Sequence, residues 1–132
     1  MGAKRYEDLV AWQLANELKR AVYKLVDESK ARDDRDFAGQ IRDAASSGPR
    51  NLAEGFGAYK HPEAARYTRI ARASLMETHN HLGDGADRGF WSRKIAAEHQ
   101  QLTDRALGAT TKLLEYLSTT DAPSPWRKPP RQ

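Results

Sequence analysis

Among the residues able to do acid-base or metal chemistry in this 132-residue chain are four histidines and 18 acidic side chains, and there is no cysteine. The lack of cysteine excludes a disulfide framework, a thiolate zinc site and a cysteine nucleophile. His79 and His81 fall two apart in a helical pattern, so their rings diverge, whereas a helical zinc pair needs a spacing of three or four. His99 sits on an apolar stripe without a second histidine nearby and reads as a hydrogen-bonded core residue. Asp33, Asp34 and Asp36 are interrupted by Arg35 and lack the downstream bidentate acid of a calcium loop, so they suit a helix N-terminus. Gly55-Phe56-Gly57 has no strand before it and no Gly-Lys-Ser/Thr after it, which makes it a helix end rather than a phosphate loop. No catalytic, cofactor-binding or metal set can be assigned. The expectation is a protein that is not an enzyme; an active site would need a pocket lined by Asn51, Glu54, Ser74 and Glu77.

Asn51 is the polar residue that most needs an explanation. Positions 37, 41, 44, 48, 51 and 55 advance by alternating four and three, which places Asn51 on the buried line of a helix, where an amide needs hydrogen-bond partners. Ser74 and Thr78 occupy the corresponding inner line of the next helix and are the expected partners. Arg50 and Glu54, one turn apart, are expected to pair. The simplest reading of Asn51, Glu54, Ser74 and Thr78 is a structural polar motif that fixes helix register.

The elements that must carry these residues are four amphipathic helices. The first, about residues 6 to 30, repeats apolar residues at Ala11, Leu14, Leu18, Ala21, Val22 and Leu25. The second, about 35 to 57, follows the aspartate cluster; Pro49 inside it should bend or break it a turn earlier, with Gly48 making room. The third opens with Pro62 at a favoured first position and runs through Tyr67, Ala71, Ser74, Leu75, Thr78 and Leu82 to a stop at Gly83-Asp84-Gly85. The fourth begins near Ser92, carries Ile95, His99, Leu102, Ala106, Ala109, Leu113 and Leu117 on one stripe, and ends near Thr119. Connections this short predict an all-α, antiparallel, up-down-up-down four-helix bundle over residues 1–120. Residues 121–132 hold Arg127, Lys128 and Arg131 among four prolines and read as a disordered basic tail.

Ile41 to Gly57, IRDAASSGPRNLAEGFG, resembles the stretch ending in N-(I/L)-A-E-G-F-G of the 23S rRNA intervening-sequence protein family. The resemblance extends to Asp8-Leu9-Val10-Ala11-Trp12-Gln13 and to Tyr67 with Ala71-Arg72-Ala73-Ser74-Leu75-Met76-Glu77, in matching order, and spans about residues 6 to 118. Ser47-Gly48 departs from the bulkier aliphatic residues common before the family's proline, a difference that bears on local packing. The resemblance implies an antiparallel bundle assembling as a ring, a homopentamer, encoded within insertions of large-subunit ribosomal RNA genes. Similar proteins accompany reverse transcriptases in diversity-generating retroelements, which implies by analogy a nucleoprotein accessory role.

Helical geometry points to assembly separately. With Leu18 toward the core, Leu9, Trp12 and Tyr23 point to the opposite half of the first helix, and Trp12, Asn16, Lys19 and Tyr23 form a second stripe. Leu9, Trp12 and Tyr23 are therefore the candidate subunit contacts, with aromatic rings lying on lysine stems as the plainer explanation. Phe90 and Trp91, near the third connection, say less about assembly. Arg66 and Arg69 face away from the predicted core of the third helix while Arg72 lies to one side, and the three are the candidate nucleic-acid contacts, RNA or DNA. The plainer account is a solvated face paired with acids such as Glu63 and Glu77.

The net charge is +4, yet residues 1–120 carry 19 basic and 17 acidic groups, so the bundle itself is close to balanced. Contact with nucleic acid should therefore be backbone-directed and weakly sequence-selective, with Trp126 of the tail adding base stacking. Hydrophobic residues at 39% and charged ones at 30% suit a soluble helical protein. The start of the chain has no apolar secretion segment, and no run approaches the ~20 apolar residues of a membrane span, so the cytoplasm is the expected location. The leading reading is a non-catalytic oligomeric helical scaffold contacting nucleic acid or a nucleoprotein. The alternative is a purely structural or protein-binding oligomer.

Overall fold

The computed structural model describes residues 3–58 and 60–119. The basic tail and Trp126 lie outside them. Four α-helices carry the fold: α1 Val10–Asp27, α2 Arg35–Gly57, α3 His61–Asp87 and α4 Arg93–Ser118. Each packs on its neighbours in the cyclic order α1, α2, α3, α4 and back to α1. Cross-helix contacts fix the directions. Phe37 meets His81 while Gly55 meets Ala64, and His79 meets Asp104 while Arg72 meets Thr111, so residue numbers rise on one helix as they fall on the next. The same holds for α1 against α2, where Asp27 meets Arg42 and Ala15 meets Gly48. The bundle is antiparallel, as short connections between neighbouring helices require.

The first segment is shorter than its apolar periodicity predicts. Tyr6–Asp8 forms a 3-10 turn closed by the Asp8 carboxylate, which accepts from the backbone N–H groups of Lys4 and Arg5. At the other end α1 stops at Asp27 because the Ser29 hydroxyl donates back to the Val26 carbonyl and accepts from the Ala31 N–H. A serine offering the backbone these alternatives ends a helix that periodicity alone would continue. At the start of α2, Asp34 caps the helix by accepting from the Phe37 N–H at 3.1 Å, with Asp36 in the first turn.

Neither a break before Pro49 nor a stop at Gly83-Asp84-Gly85 is present. α2 runs unbroken through Pro49, whose missing N–H leaves the Ala45 carbonyl without its usual donor four residues on. Packing on both flanks holds the helix across that gap: a Cβ on Gly48 would lie 3.3 Å from Leu75 of α3 and 3.8 Å from Ala15 of α1. α3 passes Gly83 and Gly85 and stops at Asp87. Its stop is Gly89, at φ +80°, where the N–H groups of Gly89 and Phe90 return to the carbonyls of Ala86 and Gly85 in a Schellman closure.

Gly85 has a different use. The chain folds back after Gly89 so that Trp91 lies directly on Gly85, where a Cβ would stand 2.1 Å from the indole Cζ2. The indole N–H donates to the Leu82 carbonyl at 2.8 Å. Trp91, buried, joins Phe37 and Phe90 in an aromatic cluster closing one end of the core, with ring centroids 5.1–5.8 Å from Phe37. The rest of the core is Leu18, Val22, Val26, Ile41, Leu52, Leu75 and Leu82, with a smaller cluster of Ala58, Ala64, Ala65 and Leu117 at the opposite end.

On α4 the buried line is Ala96, Thr103, Ala106, Thr110 and Leu117, while Leu102 is half-buried and Ile95, Ala109 and Leu113 are half-buried beside residues of α1. Small hydroxyl residues hold the centre and larger aliphatic ones the flank, because α4 packs more against α3 than against α1.

Gly85→Ala is expected to lower stability by about 1–3 kcal/mol through overpacking against Trp91. Gly108→Ala, where a Cβ would meet nothing within 4 Å, should raise it by roughly 0.5–1 kcal/mol. Urea unfolding followed by circular dichroism reads both, and equal effects would sink the account of Gly85.

Candidate functional site: a polar seam and three surface regions

Asn51, Ser74 and Thr78 converge less directly than their positions predict. The half-buried Asn51 amide donates to the Ser47 carbonyl at 2.9 Å and to the Ser47 hydroxyl at 3.0 Å. That hydroxyl lies 2.7 Å from the buried Ser74 hydroxyl. Ser47 is thus the relay, and Asn51 reaches α3 only through it. Thr78 is buried but donates to the Ser74 carbonyl on its own helix at 2.8 Å. Thr68 and Thr103 do the same to Ala64 and His99. For a threonine on a helix the carbonyl four residues back is always within reach, so a hydroxyl on the inner line need not bridge helices.

The Arg50–Glu54 pair does not form. Arg50 reaches the Ser46 hydroxyl at 3.5 Å, and Glu54 is exposed without an ion pair among the described residues. Glu77 is engaged by His81 at 3.3 Å. Asn51, Glu54, Ser74 and Glu77 therefore do not converge on one pocket. His79 meets Asp104 at 3.5 Å, and His99, half-buried, is hydrogen-bonded through Nδ1 to the Ile95 carbonyl at 2.9 Å. Among the described residues no group of three or more His, Cys, Asp or Glu is placed to hold a metal ion.

The second region is the outer face of α3. Arg66, Arg69 and Arg72 are all exposed. Arg66 lies over the Tyr67 ring at 4.8 Å, and Arg72 donates through Nε to the Thr111 hydroxyl at 3.1 Å. None of the three has a carboxylate within ion-pair distance among the described residues, and neither Glu63 nor Glu77 neutralises them. By contrast Arg42, Arg88 and Arg93 are each paired with aspartates.

The remaining regions flank α1. On the side toward α4 is a groove of about 610 Å³ lined by Leu9, Val10, Leu14, Ala109 and Leu113, with Arg105 and Lys112 at its rim. Val10 is 60% exposed in it. On the side toward α2 is a groove of about 300 Å³ holding Tyr6, Trp12, Asn16, Lys19 and Tyr23 against Ser46, Pro49, Arg50 and Ala53. Trp12 is half-covered within the subunit, edge-on to Tyr6 at 5.1 Å and packed on the core. The expected subunit contacts are thus divided, Leu9 in the first groove and Trp12 with Tyr23 in the second. Val10, Arg105 and Lys112 escaped the sequence reading, although the spacing of Arg105, Gly108 and Lys112 on one outer line of α4 was a readable signal.

An all-α antiparallel four-helix bundle with a Ser–Asn seam and unneutralised arginines on one helix defines the class. The profile of the family described as 23S rRNA-intervening sequence protein matches residues 7–112, and the chain belongs to that family. No curated protein matches it. No helix among the described residues is long and apolar enough to cross a membrane.

Ser47→Ala would remove the hydroxyl link to α3 and one of the two acceptors of the Asn51 amide, which keeps its bond to the residue-47 carbonyl, with an expected loss of about 0.5–1.5 kcal/mol. A double-mutant cycle of Ser47→Ala with Ser74→Ala should show coupling of at least about 0.5 kcal/mol. Additive effects in urea unfolding would reject the relay.

Proposed function

We propose that this family member is a non-catalytic, oligomeric helical scaffold that contacts nucleic acid through the backbone phosphates. The observation that carries the reading is the set of Arg66, Arg69 and Arg72, exposed on α3 with no carboxylate among the described residues to neutralise them. Guanidinium groups left free in this way suit phosphate oxygens, and the affinity they supply is sequence-independent and salt-sensitive. Assembly would multiply the patch. Support for assembly comes from the apolar groove between α1 and α4, where Leu9 and the exposed Val10 stand beside Leu14 and Leu113. A second copy covering it is the reading we adopt, with the ring of five as the expected closure. The same groove supports a second reading, a scaffold that binds protein only.

Replacing Arg66, Arg69 and Arg72 by glutamine should weaken binding of a structured RNA or DNA and reduce the slope of log affinity against log salt by up to about 3. Fluorescence anisotropy across a salt series measures both. If the unaltered protein binds neither nucleic acid at low salt, the protein-only scaffold stands. Val10→Asp should lower the mass found by light scattering while leaving helicity unchanged; an unchanged mass places the subunit contact elsewhere.

A further inference from the structure

The α1/α2 groove contains a polar group that the fold leaves unused. Asn16 is only 8% exposed, yet among the described residues its side-chain amide makes no hydrogen bond. It lines the groove. The amide nitrogen and oxygen are not among the buried polar atoms without a partner, so they open onto the groove, where a ligand can reach them. One helical turn on either side of Asn16 stand Trp12 and Lys19, and Arg50 faces them from α2. The Trp12 indole N–H has no acceptor among the described residues, and the groove lining includes no carboxylate.

We propose that this groove binds an unstacked nucleotide of single-stranded nucleic acid. The base lies against Trp12, the Asn16 amide pairs with its edge, and Lys19 and Arg50 take the flanking phosphates. Each part of the ligand meets a group of matching chemistry. An aromatic ring accepts any base by stacking, and a primary amide offers one acceptor and two donors to a base edge. Two cations without a neutralising acid suit the phosphates on either side. Single-stranded nucleic acid is recognised through this combination of stacking and edge hydrogen bonds. A volume of about 300 Å³ suits one base with its sugar. A protein segment would instead need the apolar floor found in the other groove, between α1 and α4. The site lies on the α1/α2 side of the bundle, away from the arginines of α3, and does not depend on their binding duplex or structured nucleic acid.

The test uses the full chain and fluorescently labelled ten-nucleotide single strands, oligo-U and oligo-A, with a duplex of the same length as comparison. Trp12→Leu and Asn16→Leu are each expected to weaken single-strand binding by about 5-fold or more, the factor a stacked base contributes. They should leave duplex binding unchanged. Lys19→Gln with Arg50→Gln, which touches no buried side chain, should do the same and guards against a folding defect in the other two. Ultraviolet crosslinking of a 4-thiouridine strand is expected to label the peptide containing Trp12. The inference is overturned if the single strands do not bind, if the charge variant binds as the parent does, or if the label falls elsewhere. It is overturned equally if Trp12→Leu splits the assembly in light scattering, which would make the groove a subunit contact. Loss of duplex binding in the α3 arginine variant with single-strand binding intact would separate this site from the phosphate-binding face.

Discussion

The close approach of α2 to α3 governs the rest of the bundle. A Cβ on Gly48 would come within 3.3 Å of Leu75, and one on Gly55 within 3.2 Å of the Ala64 carbonyl and of Tyr67. Glycine at these two positions lets the helix axes come together, which is the one service a missing side chain performs. At that separation the hydroxyls of Ser47 and Ser74 are within hydrogen-bond reach, and Ser47 can hold Asn51. Bulkier side chains before Pro49 would hold the helices further apart and leave no room for this relay.

Close approach also explains what lies outside. The inner line of α3 is occupied by Ala64, Thr68, Ala71, Ser74, Leu75 and Thr78. Arg66 and Arg69 fall on the face away from this line and are exposed, while Arg72 lies at the border with α4. Threonines bonded to their own helix satisfy their hydroxyls without demanding a partner across the interface. The seam is thereby polar in composition, with its hydroxyls engaged in hydrogen bonds.

The two grooves beside α1 divide by chemistry. The groove toward α4 is aliphatic with cations only at its rim, whereas the groove toward α2 holds rings, an amide and two cations. One helix thus separates an aliphatic surface from a polar, aromatic one. Pro49 stands in the wall of the second groove, and the packing of Gly48 against α1 and α3 keeps α2 continuous there despite the lost backbone bond.

Helix number, order and most of the inner lines were legible in the sequence, because spacing of three and four fixes which residues share a face wherever large apolar side chains mark it. The buried positions of α2 at 37, 41, 44, 48 and 55 follow that rule, and Asn51 is half-buried on the same line. Residue types also fixed the Asp34 and Ser92 caps, whose side chains accept from backbone N–H groups three residues on. Periodicity carried less on α4, where the innermost line is small and hydroxylic and Leu102 and Leu113 sit to one side. Only the tertiary structure decided that Gly85 is a seat for Trp91 rather than a stop, that Ser47 links Asn51 to Ser74, and that Asn16 is largely covered yet lines the α1/α2 groove. Each of these depends on the distance between helices. Sequence spacing sets direction around a helix axis but not the separation of one axis from the next.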